Sequence, residues 1–198
     1  MMQRIEHTPE MVPFHFDLSD HVRRSVATLY SHLVTRPTGQ ALRMGIESRI
    51  RESGGPCVSV LDFTEVVVLD FSCADETVAK LVRRYCEADP PAAAYFLARG
   101  VAPHHRETLD TVLIRQGMAL VADVTGLGHR LLGYASRLEH RVWQAVEDAG
   151  STTREEVATR VGDAAAGVAA DTLIARRVVV PGSGARLHSL SRLTLAGG

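Results

Sequence analysis

The residues of this chain with the most chemical potential lie close together, in the stretch VSVLDFTEVVVLDFSCADETVAKLV (58–82). They are Asp62 and Asp70, each in a Leu-Asp-Phe triplet, then Ser72, Cys73, Asp75 and Glu76. A hydroxyl at the start of a helix sits near unpaired backbone N–H groups and the positive end of the helix dipole, where an added phosphate can be held. A thiol in that position has its pKa lowered toward the reactive range. Asp75 and Glu76 oppose both effects by like-charge repulsion. Cys73 therefore reads as a small buried hydrophobe. For Ser72 the simplest role is that of helix N-cap, worth about 1 kcal/mol. A phosphoacceptor role and a contact role for an exposed loop stand beside it. No His or second carboxylate motif accompanies the Asp62/Asp70 pair, so these read as solvated strand ends rather than an acid–base pair.

The elements that must position these residues follow from pattern. Phe14-His15-Phe16-Asp17-Leu18 alternates as a short strand, and Ser19 and Asp20 offer caps to a helix striped by Val22, Val26, Leu29, Tyr30 and Leu33. Pro37-Thr38-Gly39 breaks that helix, and Leu42, Ile46 and Ile50 mark the next. The β-branched runs 57–63 and 66–71 read as two strands, or as one long bent strand. Val78, Leu81, Val82 and Tyr85 then line a helix from about residue 75 to residue 86. AYFLARGV is a buried strand, Leu109, Val112 and Leu113 stripe a helix, and MALVADV is a further strand. That alternation predicts βαβ units in a largely parallel sheet.

The pattern changes after residue 131. Leu138, Val142 and Val146 stripe a helix over 137–149, and Thr152-Thr153-Arg154-Glu155 reads as a capping box for a second helix reaching Val161. An Ala-rich third helix covers 164–176, and two β-runs flank Pro181-Gly182-Ser183-Gly184 as a hairpin. Three helices and a hairpin are the order of a winged helix-turn-helix. The division falls near 134–136, giving an α/β domain at 1–134 and a small α+β winged-helix domain at 135–198.

The region around the two triplets resembles the STAS fold of anti-sigma factor antagonists, and more closely its STAS-like variant. The residues carrying the resemblance are VSVLDFTEVVVLDFSCADETVAKL, with RPTGQALRMGIESRI similar to that variant's lead-in helix. It spans about 35–130. In the antagonists the second strand ends in Asp-Ser-Ser-Gly, and the second Ser accepts phosphate. On that pattern Asp70 takes the Asp and Ser72 the acceptor, while Phe71 stands for the first Ser and Cys73 for the Gly. The resemblance implies a non-enzymatic regulator that binds a protein partner of anti-sigma factor or serine-kinase type. Contact would centre on Asp70, Ser72, Cys73, Asp75 and Glu76. A homodimer held by the winged helix is also compatible.

The alternative is a transcription regulator whose winged helix binds DNA while the STAS-like part senses a signal. The third helix offers almost no base-reading or cationic side chains; Arg176 and Arg177 stand at its far end, with Arg186 and His188 in the hairpin. Residues 136–198 hold eight Arg against seven acids, a net of +1. That is a poor footprint for counterion release, so protein contact is favoured over DNA.

Bulk composition adds limits. The 198 residues are 45% hydrophobic and 23% charged, as in globular proteins, with a formal net charge of −1. Lys80 is the only lysine, which reads as a trace of genome composition. Three scattered cysteines give no disulfide framework or C-x-x-C pair. No membrane span or signal-peptide core is present, and the expected setting is the cytoplasm. Adjacent His104 and His105 do not share a helix face and read as exposed loop residues. Gly126-x-Gly128 follows a late strand and lacks the dinucleotide-binding pattern. No cofactor or metal is expected.

Overall fold

The computed structural model describes residues 23–195. Four parallel strands and one antiparallel strand form a sheet in the order β1 (Arg23–Thr28), β3 (Cys57–Asp62), β5 (Ala94–Val101), β6 (Ala119–Val124) and β7 (Gly128–Gly133). The helices α1 (Arg36–Glu52), α2 (Phe71–Ala74), α3 (Lys80–Tyr85) and α4 (Pro103–Gln116) belong to one side. A π-helical turn, Asp75–Ala79, joins α2 to α3, so the helical path is unbroken over 71–85. The mixed, mostly parallel sheet with its helices makes this an α/β protein.

Alternation along β3, β5, β6 and β7 divides the side chains between two cores. Leu61, Phe96, Ala98, Leu120 and Leu132 face α1–α4, packing with Ile46, Ile50, Val78, Leu81, Tyr85 and Leu113. Val58, Val60, Tyr95, Leu97, Val121 and Leu131 face the other way. There they meet α5 (Arg137–Ala149), α6 (Arg154–Val161), α7 (Ala166–Ala175) and the strands β9 (Val179–Pro181) and β10 (Arg186–Ser189) through Val142, Trp143, Leu173, Val180 and Leu187. β3 is buried at all six positions for this reason. The C-terminal helices and hairpin thus form the second cover of the sheet, and β8 (Ser151–Thr153) completes a small antiparallel sheet in the order β8-β10-β9.

Several elements differ from the sequence reading. Residues 23–28 are the edge strand β1, and His32–Leu33 form β2, where a helix is predicted. The spacing of Val26, Leu29, Tyr30 and Leu33 mimics a helical stripe, but Val26 and Tyr30 are exposed while Leu29 and Leu33 are buried. Pro37-Thr38-Gly39 opens α1 instead of breaking a helix, because proline is well suited to the first helical turn. The two apolar runs are separate strands: β3, and a two-residue β4 (Val68–Leu69) paired in parallel with β2. The helix after them starts at Phe71, earlier than its stripe indicates. In α6 the capping box is Thr153 with Glu156, one residue later than read. β7, β8 and the closing helix α8 (Leu190–Leu195) were not predicted. The strand expected at 14–18 and the helix caps expected at Ser19 and Asp20 lie outside the described residues.

Where α1 crosses the helical path at 71–79, Gly39 permits the contact. A Cβ there would stand 2.7 Å from the Cys73 carbonyl oxygen and 2.8 Å from Glu76 Cβ. Gly45, on the same helix, has nothing within 4 Å. Gly39→Ala should therefore lower stability by roughly 1–3 kcal/mol through overpacking. Gly45→Ala should raise it by about 0.5–1 kcal/mol through helix propensity. Paired denaturant melts check the opposite signs.

Candidate functional site

The candidate corner lies where β2 and β4 run side by side and each feeds a helix. Asp70 follows β4 with extended backbone (φ −89°, ψ 159°) and is the N-cap of α2. Its Oδ1 accepts from the Cys73 backbone N–H at 2.7 Å and from the Ser72 hydroxyl at 2.9 Å. Its Oδ2 accepts from the Thr35 backbone N–H at 2.8 Å. One carboxylate thus caps α2 and ties it to the entrance of α1. Thr35 has φ 73°, an unfavourable conformation for a β-branched residue, so its backbone must be held from outside. The bond from Asp70 is one such constraint.

Burial pushes the Asp70 carboxyl pKa up, but the N–H bonds from Thr35 and Cys73 and the Ser72 hydroxyl outweigh it, leaving the group below its ordinary value. A carboxylate so satisfied is a weak base for the Ser72 proton. Ser72 is half-buried at the second helical position; the cap expected of it is Asp70. Cys73 is wholly buried and burial raises its thiol pKa, which opposes nucleophilic use. The arrangement suits binding better than covalent chemistry.

The acids after Ser72 are engaged within the fold. Asp75 accepts from Gln116 Nε2 at 2.9 Å and from Arg36 Nη1 at 3.3 Å. Glu76 is only 5% exposed and meets Arg36 at 2.8 Å, Arg43 at 3.7 Å and the Lys80 ammonium. Burial pushes its carboxyl up, and the bonds from Lys80 and Arg36 more than reverse that. Of the five residues expected to meet a partner, Cys73 and Glu76 face inward, while Asp70, Ser72 and Asp75 are half-buried. The surface around them is supplied by apolar residues that the sequence did not single out. Phe71 is 50% exposed and Val67 64%, with Val34 and Val68 also exposed along the β2–β4 ribbon. Val67 and Val68 continue an apolar run, so sequence alone marks them as core.

Asp62 is not a solvated strand end. It is 8% exposed, pairs with Arg99 at 2.5 Å and accepts from the Thr64 N–H and hydroxyl. His105, read as exposed, is buried in α4 and places Nε2 3.3 Å from the Val67 carbonyl; burial first, then neighbouring His104, lowers its pKa. Among the described residues no cluster of His, Cys, Asp and Glu has the arrangement of a metal site, and no helix is long and apolar enough to cross a membrane.

The C-terminal cations separate into two groups. Arg176 donates to the Tyr134 carbonyl at 2.8 Å, pairs with Glu139 at 3.2 Å and lies over the Tyr134 ring. Arg177 donates from Nε to the Tyr85 carbonyl at 2.7 Å and lies over the Tyr95 ring. The Arg177 guanidinium thus ties the C-terminal part to Tyr85 and Tyr95, while Arg176 joins Glu139 of α5 to the Tyr134 carbonyl that precedes it. Arg186 is exposed and His188 half-buried; the outer face of α7 shows Val168 and Asp171, and the cation beside them, Arg154 of α6, is paired with Asp171.

Asp70→Ala should lower stability at neutral pH by about 0.5–2 kcal/mol, the cost of a lost cap. Asp70→Asn keeps a capping oxygen but removes the charge. Because the folded pKa is depressed, the charge's contribution is present above the ordinary value of 3.8 and is lost as pH falls through the folded value. Thermal melts from about pH 7 to about pH 3 should show the gap between wild type and Asp70→Asn closing toward acid.

Set against known protein families and curated proteins, the chain matches no family model and no curated sequence.

Proposed function

We propose that this chain is a non-enzymatic bacterial regulatory protein, with a STAS-like α/β part and a C-terminal winged helix. The α/β part binds a protein partner of anti-sigma factor or serine-kinase type at the corner around Ser72, and phosphorylation of Ser72 switches that contact. Support for the first part is the βαβ order with Asp70 and Ser72 at the turn into α2. The order α5-β8-α6-α7-β9-β10, with β8 beside β10, supports the second.

The observation that carries the switch is the bond from Ser72 Oγ to Asp70. A phosphate on Ser72 removes the donated proton and puts about −1.5 to −2 charges beside a carboxylate already held ionised. Repulsion then acts on the group that fixes both the Cys73 and Thr35 amides. The entrance to α1 loosens, and the exposed rim of Val34, Val67, Val68 and Phe71 loses its shape. Unmodified protein is the binding form.

Affinity purification from the native cells, with mass spectrometry of both partner and Ser72, tests the reading. Wild type and Ser72→Ala should recover one common partner, and phosphate should be found at Ser72 in a fraction of the wild-type chains. Ser72→Asp, and Phe71→Asp on the rim, should recover much less of it. Equal recovery by all four proteins would overturn docking at this corner; an unmodified Ser72 would remove the switch.

A further inference from the structure

A cleft of about 180 Å³ opens between α1 and α3, lined by Arg43, Lys80, Arg83, Arg84 and Glu87. Lys80, Arg83 and Arg84 stand at i, i+3 and i+4 of α3 and share one face, while Arg43 comes from α1. Like charges at that spacing destabilise a helix unless negative charge meets them. The fold answers part of this. Glu76 pairs with Lys80 and, at 3.7 Å, with Arg43, but it is shared with Arg36. Glu47 pairs with Arg43 at 3.1 Å and stands 3.7 Å from Arg84 Nε. Together with Glu87, these give three carboxylates against the four cations of the cleft.

The donors are less satisfied than the charges. Arg43 Nε is buried without a hydrogen-bond partner. Arg83 donates to the neutral Gln116 side-chain oxygen at 3.0 Å, and the Arg84 contact with Glu47 is longer than a hydrogen bond. A guanidinium holds five N–H donors, so most of those on the exposed Arg83 and Arg84 remain for water or a ligand. No apolar side chain is among the lining residues, and an oily ligand has nothing to bury there. We infer that the cleft binds a small oxyanion of the phosphate class. A tetrahedral dianion offers acceptor oxygens on every side, matches the guanidinium fork in bidentate fashion and takes an ammonium as a point charge. Arg83 and Arg84 clamp it, Lys80 adds charge, and Arg43 Nε supplies the buried donor. A carboxylate brings one charge and two oxygens in a single plane, which leaves more of these donors unmet. The site stands apart from the Ser72 corner, and neither reading needs the other.

Titration of the full chain with inorganic phosphate, pyrophosphate and glycerol phosphate tests this, with ionic strength held constant by sodium chloride and NMR reading the arginine Nε–H and backbone amide signals. Wild type should show saturable shifts at Arg43, Lys80, Arg83 and Arg84. Preference for the free anions assigns the site to inorganic phosphate; equal binding of glycerol phosphate assigns it to a phosphate group whatever carries it. Substituting both exposed cations, Arg83→Gln with Arg84→Gln, should weaken binding at least about tenfold, as expected for lost charge-assisted bonds. Arg106→Gln, an exposed cation of α4 outside the cleft, should leave it unchanged. Shifts that do not saturate, affinity that survives the double substitution, or an equal loss in Arg106→Gln would overturn the inference. So would tighter binding of an acidic peptide such as polyglutamate, which would make the cleft a protein contact.

Discussion

The structure depends on a sheet whose central strands have no solvent face. β3 is buried along its whole length, and β5 and β6 likewise send alternate side chains into two separate cores. An apolar strand of this kind is stable only when both faces are covered, since each large side chain left in water forgoes about 1.5–3 kcal/mol of burial. Helices α1–α4 supply one cover and the C-terminal helices with their hairpin the other. The C-terminal part is therefore a component of the fold, whichever further role it has.

That constraint shapes what the C-terminal part can offer to other molecules. Its Trp143, Val142 and Leu173 pack toward the sheet; Arg177 fastens it to Tyr85 and Tyr95, and Arg176 to the Tyr134 carbonyl while pairing with Glu139 inside the C-terminal part. The outward side of α7 carries Val168 and Asp171, and Asp171 is paired with Arg154 at 2.5 Å. A helix so furnished has little for base edges or phosphates, where sequence-specific binding draws on Arg, Lys, Asn and Gln.

How much of this was legible in the sequence depends on where each decision is made. Helices with a regular stripe, such as α5 with Leu138, Val142 and Val146, are read from pattern because one face meets one core. β1 was misread as helix because an edge strand with few buried residues leaves a weak alternation that chance spacing can imitate. Ser72 and Asp70 are both good caps, and only the observed start at Phe71 decides between them. The ties from Asp70 to Thr35 and from Arg36 to Glu76 span 35 and 40 residues, beyond the reach of local pattern. Burial on both faces of the sheet was visible as near-continuous apolar runs. Which element supplied the second cover was not, because hydrophobic pattern records that a face is buried without naming its partner.

The path through residues 71–85 connects these two parts of the molecule. Its first turn holds Ser72 against Asp70, and its last residue, Tyr85, gives its carbonyl to Arg177 of the C-terminal part. At 1.5 Å per residue the two ends stand roughly 20 Å apart. The middle is the π-helical turn, where Glu76 meets Arg36, Arg43 and Lys80, and where Gly39 brings α1 against the backbone. A displacement at Ser72 must pass that clamped turn to reach Arg177. Two buried cores resist continuous deformation. Loss of the Asp70 tie would thus act first on the Thr35 loop and the apolar rim, which have solvent on one side, and leave the sheet and its second cover in place.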